Sequence, residues 1–160
     1  MQRDDFVNVF GSIYEHSSWI AQGAYDSGLT SSHDNVDQLL ALMSQILESA
    51  NDQQKLALIN AHPDLAGKAA IAGTLTQASN NEQASAGISN CSPEEFTRFT
   101  ELNSRYQAKF KFPFIMAVKD SNKLEILAAF EQRIDNDVPS EFQRALLEIN
   151  KIALFRLCDL

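Results

Sequence analysis

A chain of 160 residues, 44% hydrophobic and 21% charged, has enough apolar mass for a sizeable core and reads as one soluble domain, residues 1–160. Its formal net charge of −8 argues against a nucleic-acid partner, because displacing counterions from phosphates needs basic surface. No basic leader with an apolar stretch behind it opens the sequence, and no run of about 18 apolar residues would span a bilayer, so no membrane partner and a cytoplasmic setting are expected.

The apolar residues recur mostly at helical spacing. Phe6, Val9, Phe10 and Ile13 predict a first short helix ending near His16. Ser17 to His33 is mostly polar, punctuated by Gly23 and Gly28, and reads as loop with one turn of helix around Trp19 to Tyr25. Val36, Leu39, Leu40, Met43, Ile46 and Leu47 mark a second helix, with Asp34 as its expected N-cap. Asn51-Asp52 breaks the pattern before a third helix that leads through Leu56 and Ile59 to Ala61.

Pro63 disfavours helical geometry at His62 and suits the first position of a new helix, so His62 is expected at a helix–helix junction. Thr74 to Asn81 reads as loop and Glu82 to Gly87 as a short helix. Ser92-Pro93-Glu94-Glu95 is the clearest helix start: serine caps, proline takes the first helical position, and Glu95 completes a capping box. Phe96, Phe99, Leu102, Tyr106 and Phe110 then run down one face, and Pro113 ends the helix. Periodicity leaves open whether the apolar run from Phe112 to Val118 is extended or helical. Asp120-Ser121-Asn122 is a turn, Ile126 to Ile134 a further helix, and Phe142 to Leu157 the last. No stretch alternates as a strand would. The expected class is all-α, a single-domain bundle of about seven to nine helices.

Three places carry the candidate chemistry. His62 is one of only three histidines, the residue type whose charge changes near neutral pH. It lies in Ala61-His62-Pro63-Asp64-Leu65-Ala66-Gly67-Lys68, where the proline restricts its backbone; equally, a histidine at a helix C-terminus interacts well with the dipole. The second place is Ser79-Asn80-Asn81-Glu82-Gln83, in which Ser79 and Glu82 fit a capping box, and a helix N-terminus also offers free N–H groups to an anion or carbonyl oxygen. The third is Arg156, which continues the apolar face of Phe142, Ala145, Leu146, Ile149, Ile152 and Ala153. It must snorkel outward, pair with a carboxylate, or receive an anionic ligand.

Sharper motifs are absent. Gly67-Lys68 is no phosphate loop, because Ala69 stands where a hydroxyl residue is needed. His33-Asp34 has no partner at metal spacing, no serine sits in a nucleophile elbow, and no dinucleotide fingerprint occurs, so neither metal nor cofactor is expected. Cys91 and Cys158 read as free thiols. What remains is cofactor-independent acid–base chemistry or ligand binding without chemistry.

These residues together resemble a known family. His62-Pro63-Asp64-Leu65-Ala66-Gly67-Lys68, Ser79-x-x-Glu82-Gln83 with Ala86-Gly87, and Phe112-Pro113-Phe114-Ile115 look like 2-oxo-4-hydroxy-4-carboxy-5-ureidoimidazoline (OHCU) decarboxylase. So do Tyr14-Glu15-His16-Ser17, Leu102-Asn103-x-x-Tyr106 and Arg156-Leu157, in the right order along the whole chain. One departure is Ala78, where relatives often carry an acidic residue. The resemblance implies an all-helical carboxy-lyase that converts OHCU, a product of urate breakdown, to (S)-allantoin. It implies catalytic roles for His62 and Glu82, and substrate contacts at Pro63, at Ser79, Asn80, Asn81, Glu82 and Gln83, at Phe114, Ile115, Met116, Ala117 and Val118, and at Arg156. It also implies a homodimer. The rival expectation is a non-catalytic helical module that binds a cyclic ureide or a partner peptide in the same place. The C-terminal Cys158-Asp159-Leu160 is not a peroxisomal address of the Ser-Lys-Leu type, in keeping with a cytoplasmic setting.

Overall fold

The computed structural model describes residues 1–67 and 75–160. Lys68, at the end of the histidine motif, and Thr74, at the start of the expected loop, lie outside the described residues. The described chain contains eight α-helices, two short 3₁₀ helices and no strand. They are α1 (Arg3–Phe10), α2 (Trp19–Asp26), α3 (Val36–Glu48), α4 (Asp52–Ala61), α5 (Gln77–Ser85), α6 (Pro93–Phe110), α7 (Lys123–Arg133) and α8 (Val138–Cys158). The all-α expectation is met. Residue contacts group into two units, Met1–Ala61 with Ile149–Leu160, and His62–Glu148.

In the first unit α1 is shorter than its apolar pattern predicted. It stops at Phe10, with Gly11 at its C-cap, and Ile13 and Tyr14 are buried from the following irregular stretch. The polar stretch after it holds a full two-turn helix, α2, rather than a single turn. Its buried face is Ile20, Ala21 and Ala24, and Gly23 lets it approach α3 closely: a Cβ there would sit 2.9 Å from Ile46 Cγ2. Helix α3 buries Leu39, Met43 and Leu47. Its cap is Asn35, not Asp34; the Asn35 side chain accepts from the Asp37 and Gln38 amides at 2.9 and 3.3 Å, while Asp34 ends a 3₁₀ turn. From the last helix, Asn150 accepts hydrogen bonds from the Tyr14 hydroxyl (2.7 Å) and the Ser44 hydroxyl (3.1 Å), tying that helix to this unit's core.

In the second unit α6 begins as its sequence predicts. Glu95 N–H donates to Ser92 Oγ at 3.2 Å, and Ser92 N–H donates to Glu95 Oε1 at 2.9 Å. The helix ends at Phe110, before Pro113, because Lys111 turns into the left-handed region (φ 64°) and closes it. Segment 112–118 is neither helix nor strand. Its rings build an aromatic core: Phe114 stacks on Phe130 at 3.9 Å, and Tyr106 meets Phe112, Phe114 and Phe130 edge-on. Helix α7 is capped by Asn122. Helix α8 starts one turn earlier than its apolar face does, where Asp137 accepts the Ser140 N–H at 2.8 Å and Pro139 stands in the first turn.

Candidate active site

Helix α4 ends at Ala61, and the next residue is the buried His62. The following proline bars helical geometry at His62, as expected, but Pro63 to Gly67 forms a turn rather than the first turn of a new helix. Three amide side chains hold this turn. Gln83 Oε1 accepts the Ala66 N–H at 3.1 Å while its Nε2 donates to the Asp64 carbonyl at 3.3 Å. Asn103 Nδ2 donates to the Leu65 carbonyl at 2.9 Å, and Gln107 Nε2 to Asp64 Oδ1 at 2.8 Å. Ala66 sits at φ 54°, a left-handed conformation that costs an alanine about 1–2 kcal/mol. Such strain persists only where neighbouring groups over-determine it. The clamp therefore supplies a fixed backbone for His62.

Residues 77–81, expected as loop, belong to a helix that runs from Gln77 to Ser85, so it begins earlier than the short helix expected from Glu82. Helix α5 starts at Gln77 under a different cap, Thr76, whose hydroxyl accepts the Ser79 N–H at 3.3 Å; the capping box expected between Ser79 and Glu82 does not form. Ser79 and Gln83, four residues apart, are the buried pair on this helix, and Glu82 is half-buried beside them. Asn80 donates to the Leu75 carbonyl at 3.1 Å, and the exposed Asn81 accepts from Gln77 at 3.1 Å. Both ends of the Gln83 amide are engaged with the histidine turn, which makes it a positioning group in this structure.

Segment 112–118 presents its backbone. Phe114, Ile115 and Val118 are buried, and Met116 and Ala117 are half-buried. The Ile115 carbonyl accepts from Arg133 Nη1 at 2.7 Å, and the Ala117 N–H donates to Glu148 Oε1 at 3.2 Å. Among the described residues the amides of Ile115, Met116 and Val118 make no hydrogen bond. Buried N–H groups are nearly always paired, so a row of them is what a carbonyl-rich ligand would meet. Beneath the segment, Arg133 is ion-paired with Glu141 at 3.0 Å and lies over the Phe114 ring at 4.3 Å.

Arg156 belongs to the first unit. Of its three expected fates, pairing with a carboxylate is the one found: Nη2 meets Glu15 Oε2 at 2.8 Å, and Nη1 donates to the carbonyls of Ile13 and Ser12 at 3.3 and 3.5 Å. Glu15 is 3% exposed. Reading residue by residue did not single out Glu15, Asn103, Gln107, Arg133 or Glu148. Glu15 and Asn103 do fall in two of the short strings on which the family resemblance rests. Cys91 and Cys158 are unbonded thiols. Among the described residues no cluster of three His, Cys, Asp or Glu side chains would hold a metal ion, and no helix is long and apolar enough to cross a membrane.

Comparison with known proteins agrees along the whole chain. The sequence pattern of the OHCU decarboxylase family matches residues 1–158. The 2-oxo-4-hydroxy-4-carboxy-5-ureidoimidazoline decarboxylase of Haloferax volcanii is 43% identical over 156 residues, 98% of this chain and 89% of that protein. The enzyme of the same name from Halalkalicoccus jeotgali is 40% identical over 99% of this chain and 86% of its own length. Among solved structures, an (S)-allantoin synthase superposes with a TM-score of 0.77 at 29% identity, covering 99% of this chain and 50% of that one. With the family pattern spanning nearly every residue and relatives this similar end to end, the chain belongs to the OHCU decarboxylase family.

Proposed function

We propose that this protein is a cofactor-independent carboxy-lyase that converts OHCU to (S)-allantoin in urate breakdown, with the whole chain acting as one decarboxylase domain. The observation that carries the proposal is the clamped turn: a buried histidine follows a helix end on a backbone held by Gln83, Asn103 and Gln107. Rigid placement of this kind is what proton transfer to one face of a small substrate requires.

In the reaction the bond between ring carbon and carboxylate breaks, and its electron pair moves into the ring as carbon dioxide leaves. This gives an enol. The enol hydroxyl then releases its proton as the neighbouring carbon, which bears the ureido group, takes one up; delivery to a single face sets the hand of allantoin. His62 exchanges these protons, a role worth about 10²- to 10⁴-fold. Glu82 orients His62 or holds the ureido group. The backbone of 114–118, together with Pro63 and residues 79–83, contacts the ring. Arg156, its guanidinium oriented by Glu15, binds an anionic or carbonyl group of the substrate. The family resemblance further leads us to expect a cytoplasmic homodimer, with a mass in sedimentation velocity about twice the 17.8 kDa of one chain.

The test generates OHCU in situ from urate and follows its decay and the optical rotation of the allantoin formed. Faster decay with one hand of product is expected, and His62→Ala should lose about 10²-fold or more. Unchanged decay with the wild-type protein present overturns the proposal, and saturable ureide binding without turnover would identify a binding module instead. Near-full activity in His62→Ala removes only the role given to His62.

A further inference from the structure

Two charged side chains from outside segment 112–118 hold alternate backbone groups of it. Arg133, 4% exposed, takes the Ile115 carbonyl, and Glu148, 3% exposed, takes the Ala117 N–H. A trans peptide unit is planar, and its carbonyl and N–H point in opposite directions. The described residues contain no cis peptide bond. Fixing the Ile115 carbonyl toward Arg133 therefore turns the Met116 N–H away from Arg133. Fixing the Ala117 N–H toward Glu148 turns the Met116 carbonyl away from that carboxylate. Met116 is half-buried, and neither of its backbone groups is hydrogen-bonded among the described residues.

One residue with a free donor and a free acceptor matches the –NH–C(=O)– edge of a cyclic ureide, which offers the complementary pair. We propose that Glu148 and Arg133 are positioning residues that fix the two peptide planes flanking Met116 as a paired donor and acceptor for the ureide edge of the substrate. This rests on the decarboxylase reading above. Arg133 is itself locked by Glu141 and by the stacked Phe114 and Phe130 rings, so its removal would disturb the core. Glu148, near the middle of α8 with Arg144 beside it at 3.3 Å, is the residue to vary.

The experiment measures KM and kcat for freshly generated OHCU, and Kd for (S)-allantoin by calorimetry, in wild type, Glu148→Met and Glu148→Gln. Glu148→Met should raise KM and the allantoin Kd about tenfold, the equivalent of losing one good hydrogen bond, with kcat within about threefold. Glu148→Gln, whose amide oxygen still accepts from Ala117, should stay within about threefold of wild type. Glu148→Asp, one methylene short, should match the methionine variant and serves if that variant does not fold. A structural role alone would lower Tm and the active fraction while leaving KM and Kd unchanged. Unchanged KM and Kd in Glu148→Met or Glu148→Asp, or a glutamine variant as impaired as these, overturns the assignment and leaves the decarboxylase reading intact. Allantoin binding without turnover in the wild type overturns that reading, while the Kd series still decides the assignment. A wild type that neither speeds OHCU decay nor binds allantoin overturns both.

Discussion

Glu141 has no solvent exposure, yet its carboxylate gathers three donors: the Tyr106 hydroxyl at 2.7 Å, Arg133 Nε at 3.0 Å and Asn136 Nδ2 at 3.1 Å. Glu141→Leu would leave the Arg133 guanidinium buried without its counter-ion, and Arg133 Nη2 already has no hydrogen-bond partner among the described residues. Removing one partner of a buried ion pair costs about 3–5 kcal/mol, a large share of the 5–15 kcal/mol that typically holds a domain together. At about 2–4 °C per kcal/mol for a chain of this size, Tm should fall by roughly 6–20 °C. The Arg133→Met/Glu141→Leu double variant should recover much of the loss, because an apolar pair of similar volume is often neutral against a buried ion pair. Urea unfolding followed by circular dichroism, with scanning calorimetry beside it, measures Glu141→Leu, Arg133→Met and the double variant. A single variant within about 1 kcal/mol of wild type, or a double variant as unstable as the sum of the singles, would refute the argument.

Gln83→Ala removes both amide bonds to the histidine turn and should lower kcat about tenfold or more, for about 1–3 kcal/mol of stability; kinetics and urea melts read the two effects separately. Arg156→Met takes from the buried Glu15 carboxylate its guanidinium partner at 2.8 Å, so a loss of about 3–5 kcal/mol is expected, and Glu15→Gln in the same background should restore part of it. Burial pushes the Tyr14 phenol up to about 12, with the neighbouring Ser44 hydroxyl opposing the shift. A raised folded pKa means a contribution fully present below the unfolded value of about 10 and lost as pH rises from there through the folded value, up to about 2–3 kcal/mol. Tyr14→Phe should abolish that alkaline loss between pH 10 and 12, and an unchanged slope in pH-dependent melts would contradict it.

Features governed by neighbours a few residues away were legible in the sequence. The start of α6 needed only Ser92, Pro93 and Glu95, and the long helices showed their apolar faces directly. Local rules failed where the chain uses a cap other than the one its pattern suggested. Ser79 with Glu82 fitted a capping box, but the helix begins under Thr76, in the register that buries Ser79 and Gln83 on one face. Helix α2 was expected as a single turn because Gly23 and polar flanks count against a helix locally; in the fold a Cβ at Gly23 would stand 2.9 Å from Ile46 Cγ2, a close approach that only the tertiary structure reveals.

The candidate site divides in the same way. That His62 stands at a helix end follows from the proline after it, which restricts the backbone wherever the chain folds. The spacing of apolar residues likewise shows Arg156 interrupting an apolar face. Which carboxylate would answer that arginine, and whether 112–118 would be extended or helical, were decided by tertiary structure alone. Glu15 reaches Arg156, and Arg133 and Glu148 take backbone groups of 112–118. The physical reason is that periodicity reports which side of an element is apolar, whereas a buried charge or an unpaired peptide group is satisfied by whatever partner the folded chain brings within hydrogen-bond reach.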